Sequence, residues 1–303
     1  MIAIRRILCP LDFSRFSHHA LEQAVALARE TGAEILAMHA CAVAPVTDVV
    51  HVGAPIPLER APLPASERHA IVREMDDVIR EIDTGGLLVA SKVVERDPVT
   101  AIVETAERWP ADLIVLGTHG RTGFERLLLG SVAEKVLRKA ACPVLTVPRR
   151  LASPKHGLAF SRILCAVDFS PASLRALEYA AALAAFEGPG VQALSVIELF
   201  GDTASTRDTA PLDTPDFRQA LLTASRERLH AAIPASLRER TTIVETVTFG
   251  KPYKEILRLA HAEQVDLIVL GVQGRNAADL LFFGSTTQHV VRQAECPVLT
   301  IRA

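Results

Sequence analysis

The chain has 303 residues, of which 49% are hydrophobic and 22% charged, a balance that excludes disordered and fibrous classes and leaves room for two domains of about 150 residues. Its net charge is −2: residues 1–150 carry 18 basic and 19 acidic groups, the remainder 15 and 16. Neither half therefore offers the basic surface that tracks nucleic acid.

The chain repeats itself. Arg6-Ile7-Leu8-Cys9-Pro10-Leu11-Asp12-Phe13-Ser14 returns as Arg162 to Ser170, Asp112 to Gly117 returns as Asp266 to Gly271, and Cys142 to Thr146 as Cys296 to Thr300. Ordered matches at a nearly constant offset mark a tandem duplication. The turn-forming, charged stretch 148–157 reads as the linker, which gives domains of 1–150 and 151–303.

In chain order, 5–11 reads as a buried strand, and Ala20, Leu21, Ala24, Val25 and Ala28 then line one helical face that ends at Gly32. In the second unit Ser170 is suited to cap the same helix, with Pro171 at its first position. Strands follow at 34–41, 87–94, 113–116 and 142–147, and helices at 66–82, 99–108 and 131–140. Strands apolar on both faces, in alternation with helices, predict a parallel sheet covered on both sides. The segment 42–65, with prolines at 45, 55, 57, 62 and 64, fits neither a helix nor a central strand; it reads as a lid over a site or as a surface loop, and the general habit of connecting segments favours the loop. No apolar run approaches the ~20 residues that span a bilayer, and residues 1–10 lack the blocks of a signal peptide. Five cysteines without a CxxC pair point to a reducing compartment, so a cytoplasmic location is expected.

The chemistry concentrates where ligands of open parallel sheets collect, at the carboxyl ends of strands. Gly117, Gly120 and Gly130-Ser131 follow the fourth strand, and Gly271, Gly274 and Gly284-Ser285-Thr286 repeat their spacing. Glycines let main-chain amides face an anion, and the helix amino terminus that follows adds its own free amides and positive end. Ser131 or Thr286 can add a hydroxyl, Arg121 and Arg126 a charge, and Asp12 can accept from a ribose or hold a metal through water. A structural alternative stands beside this one: Ser131 with Glu134 and Ser285 with Gln288 also match a capping box, and Asp12 and Asp168 also fit helix caps. No Walker, HExxH or GxSxG pattern occurs. His119 is the single sequence candidate for a base. His18 and His19, about 100° apart on a helix, make no zinc pair, and the cysteines read as small hydrophobes.

The opening Ile7 to Ser14, the loop 117–131 and the closing 141–147 together resemble the universal stress protein family, in tandem form. That resemblance implies two doubly wound, Rossmann-like sheets of five parallel strands in the order 3-2-1-4-5, packed as an internal pseudo-dimer through their last strands, with further homodimerisation left open. It implies ATP, with or without Mg2+, between strands one and four. Pro10, Leu11 and Asp12 would meet the nucleoside and Ala40 the adenine; Gly117, Gly120, Arg121, Gly130, Ser131 and Val132 would surround ribose and phosphates. In the second unit the matching positions are Asp168, Val196, Gly271, Gly274, Arg275, Gly284, Ser285 and Thr286. The first loop is the more basic, because Arg275 is offset by Asp279, and the first unit is expected to bind better. Arg96-Asp97-Pro98 departs from the Gly250-Lys251-Pro252 form near the adenine. The implied function is a non-catalytic sensor or adaptor with unidentified protein partners. The alternatives are a nucleotide-free interaction module and a slow ATP hydrolase or phosphotransferase.

Overall fold

The computed structural model describes residues 3–41, 63–118, 129–148, 160–184, 190–199, 214–272 and 284–302. The first half runs β1 (Arg6–Pro10), α1 (Arg15–Thr31), β2 (Glu34–Cys41), α2 (Ala65–Glu81), β3 (Val89–Glu95), α3 (Pro98–Arg108), β4 (Leu113–Gly117), α4 (Ser131–Lys139) and β5 (Val144–Val147). The second runs β6 (Ile163–Ala166), α5 (Pro171–Ala184), β7 (Val191–Ile197), α6 (Pro215–Ala232), α7 (Ala235–Arg238), β8 (Ile243–Phe249), α8 (Pro252–Ala262), β9 (Leu267–Gly271), α9 (Ser285–Gln293) and β10 (Val298–Ile301). The short α7 has no counterpart among the described residues of the first half.

Local chemistry sets these boundaries. Ser14 caps α1 by accepting from the Ser17 amide, and Gly32 ends the helix at φ 71°, in the left-handed region. Ser170 does the same for α5, accepting from the Ser173 amide at 3.2 Å. Asp97 caps α3, accepting from the Thr100 amide and hydroxyl, both at 3.0 Å, with Pro98 in the first turn.

The strands form one ten-stranded sheet in the order β3-β2-β1-β4-β5-β10-β9-β6-β7-β8. Each half is thus a parallel 3-2-1-4-5 array, and the two join where β5 and β10 pair antiparallel, with Leu145 opposite Leu299. Alternation along the central strands feeds two apolar layers. Ile7, Cys9, Leu113 and Val115 face one and Leu8, Ile114 and Leu116 the other, and both layers include residues from each half. Ile7, Leu8 and Cys9 are fully buried. None of the described helices is long and apolar enough to cross a membrane.

Candidate nucleotide site

In each half the chain leaves its first strand, turns and starts a helix. β1 pairs in parallel with both β2 and β4, so their carboxyl ends stand side by side at the point where the winding reverses. Leu11 extends β1 by donating its amide to the Met38 carbonyl at 2.7 Å. Asp12 follows. Its Oδ1 accepts from the Ser14 amide at 3.0 Å and the Ser14 hydroxyl at 2.6 Å. The serine caps the helix and the aspartate braces the serine. Asp168 repeats the arrangement, accepting from the Ser170 amide at 2.9 Å.

Phe13 and Phe169, directly after the aspartates, have φ of 61° and 65°. This left-handed conformation costs a residue with a Cβ roughly 1–2 kcal/mol, and it recurs at the same place in both halves. The aromatic character of these residues gives no hint of such a backbone. The signal available in the sequence is the exact return of Asp-Phe-Ser.

Across the switch point, α4 begins at Ser131. Its cap is Gly130, at φ −58°, which has no side chain to bond to the turn. The Gly130 amide is spent on the Thr118 carbonyl at 2.7 Å, and the Glu134 amide closes the turn on Gly130 at 2.9 Å. No acceptor among the described residues stands against the amides of Ser131, Val132 and Ala133. α9 repeats this with Gly284 as cap, no side-chain bond, and the Gln288 amide on Gly284 at 3.0 Å. Ser131 and Ser285 are therefore the first helical residues, not the caps that the capping-box alternative requires.

The glycines divide by cause. A Cβ on Gly117 would lie 2.9 Å from Phe16 Cβ, and one on Gly271 2.5 Å from the Ser173 amide nitrogen. These two are demanded by the close approach of α1 and α5. A Cβ on Gly284 would meet no described atom within 4 Å, and at φ −48° any residue fits the backbone.

The first turn of α4 carries Glu134, paired with Arg138 at 2.7 Å and reaching Arg292 of α9 at 3.9 Å. α9 has no acid in its first turn. Asp97, whose triplet departs from the second unit's form, serves as the α3 cap. The Thr100 amide above all, with the Thr100 hydroxyl and Lys135 and Lys139 of α4, holds its carboxyl below the usual range. In the second half the Gly250 amide donates to the Ile197 carbonyl at 3.1 Å, and Lys251 caps α8 without a side-chain bond. Ala40 and Val196 lie one residue from the ends of β2 and β7. Gly120, Arg121, Gly274, Arg275 and His119 lie outside the described residues, as do 42–62.

Burial raises every cysteine thiol: Cys142 is pushed up to about 11 and Cys296 to about 12, Cys9 and Cys165 rise further, and Cys41 is raised too, first by desolvation and then by Glu95. None has the depressed thiol that redox chemistry needs.

The sequence profile of the universal stress protein family matches residues 3–148 and again 159–302. The chain belongs to the universal stress protein family. A universal stress protein of Methanocaldococcus jannaschii is 36% identical over 154 residues, 48% of this chain and 82% of that one. One of Mycobacterium tuberculosis is 28% identical over 228 residues, 71% of this chain and 70% of its own. Among solved structures, a universal stress protein of Archaeoglobus fulgidus matches with a TM-score of 0.65 at 21% identity, covering 100% of this chain and 98% of that one. The fold of this tandem universal stress protein is thus shared along its whole length.

Proposed function

We propose that this tandem universal stress protein binds an adenine nucleotide, ATP in the first instance, at the carboxyl ends of β1 and β4 and again of β6 and β9, and acts as a non-catalytic sensor or adaptor. The observation that carries the reading is the uncapped first turn of α4 and of α9. Among the described residues no acceptor stands against the first-turn amides of either helix, and each helix follows the strand that pairs with the one leading to a braced aspartate. A helix amino terminus with open amides suits a phosphate.

In this reading Ser131, Val132 and Gly130, with Gly120 and Arg121, hold the phosphates in the first half. Gly284, Ser285, Thr286, Gly274 and Arg275 hold them in the second. Asp12 and Asp168 accept from the ribose, with Pro10 and Leu11 against the nucleoside, and Ala40 and Val196 line the base. Gly117 and Gly271 shape the sites by letting α1 and α5 approach. Mg2+ would enter on the phosphates. Among the described residues no three His, Cys, Asp or Glu cluster to hold a metal of their own. Signalling would follow from differential affinity: ATP shifts the protein toward a shape or partner only by binding that state better.

Calorimetric titration of the full chain with ATP tests the reading. Saturable heat and an ATP-dependent rise in melting temperature support it. Neither effect at millimolar ATP would leave a nucleotide-free interaction module.

A further inference from the structure

The strained phenylalanine after each site aspartate is held by a different element in each half. In the first, His39 at the end of β2 touches both neighbours of Asp12. Its Nδ1 lies 2.7 Å from the Leu11 carbonyl oxygen, and its ring is 4.5 Å from that of Phe13, centroid to centroid. A carbonyl only accepts, so Nδ1 carries the proton and donates. The residue before Asp12 is thereby fixed by a hydrogen bond, and the residue after it by ring packing.

The second half lacks this device. Register equates Met38 with Leu194, since Pro10 pairs with Met38 and Ala166 with Leu194, so the place of His39 is taken by Ser195, which is buried. There the Arg228 guanidinium of α6 lies 4.0 Å over the Phe169 ring.

We propose that His39 is the positioning residue for Asp12 and Arg228 the one for Asp168. Each keeps a phenylalanine in the left-handed region and so sets the direction in which the aspartate meets its ligand. The inference rests on the nucleotide reading above for its ligand, but not for its backbone consequence. It also makes the two sites separable, because one clamp is built into the sheet and the other belongs to an outer helix.

The test follows the Ser131 and Ser285 amides of the full chain by NMR during ATP titration, together with the backbone couplings that report φ at Phe13 and Phe169. His39→Ser, the second half's own residue, is expected to weaken binding at Ser131 roughly fivefold to tenfold and to shift the Phe13 couplings. Unchanged binding at Ser285 in the same molecule controls for folding. His39→Asn, which keeps a donor, and His39→Phe, which keeps the ring, should each restore part of the loss. Arg228→Ala should reverse the pattern, and Arg228→Lys should fall between it and the wild type. In the wild type, 15N spectra should show the Nδ1–H tautomer of His39. First-half binding within twofold of wild type and unmoved Phe13 couplings in His39→Ser would overturn the inference, as would the Nε2–H tautomer. Absence of any ATP response in the wild type would defeat the nucleotide reading instead, and the couplings alone would then decide the clamp.

Discussion

Thr146 and Thr300 each donate a hydroxyl across the seam between the halves, to the Val298 and Val144 carbonyls, both at 3.1 Å. The exchange is reciprocal and both side chains are buried. Thr146→Val or Thr300→Val keeps the volume and removes the donor at a cost of about 1 kcal/mol. Each is expected to lower the melting temperature by a few degrees, and the pair to add, since the two bonds share no atom. Thermal unfolding of the three variants checks this. Values within a degree of wild type would remove the threonines from the account of the seam.

The two kinds of glycine predict opposite outcomes. Gly117→Ala and Gly271→Ala force a Cβ against Phe16 and against the Ser173 backbone, and should destabilise by about 1–3 kcal/mol, the second more because its nearest atom lies at 2.5 Å, not 2.9 Å. Gly284→Ala should leave stability unchanged and weaken nucleotide binding in the second half roughly tenfold by blocking approach to the helix amides. Melting curves and titrations on the three proteins separate packing from ligand contact.

At Asp97 the folded carboxyl titrates below its unfolded value. Its capping contribution is therefore complete above about pH 4 and is lost as pH falls through the folded value. Asp97→Ala should cost about 1 kcal/mol at pH 7, and the gap from wild type should close on acidification below pH 4. Denaturant unfolding at pH 7 and at pH 3 measures it, and a gap equal at both values would contradict the cap.

Glu134 places a negative charge in the turn that is to meet phosphate, where the second half has Gln288. Glu134→Gln should raise first-site affinity by about twofold to fivefold, less at high salt, and release Arg138 and Arg292 from their shared partner. Weaker binding in this variant would show that the arginines need Glu134 to stay in place.

Much of this architecture is legible in the residues. Local matches between the halves, apolar runs and the Gly32 stop give nearly every strand and helix of the first half, because short-range period and turn chemistry decide them. The seam is not legible in the same way: the apolar character of 142–147 fits any buried strand, and only the family resemblance points to its pairing with 296–301. The site divides likewise. The glycine spacing marks the right loop ends, yet it does not tell Gly117, crowded by Phe16, from Gly284, crowded by no described atom, since that difference arises from helices distant in sequence. Ser131 matches a capping box, but the structure gives the cap to Gly130. His39 and Phe13 act through a backbone conformation that phenylalanine disfavours, and propensity argues against looking there.

The central claim is tested most directly by titrating ATP calorimetrically into the wild-type chain and into Gly120→Val and Gly274→Val. Two sites per wild-type chain are expected, with one lost in each variant and the greater loss of affinity from Gly120→Val, because the first loop is the more basic. A wild-type chain that takes up no ATP, or variants that bind as the wild type does, would contradict the account.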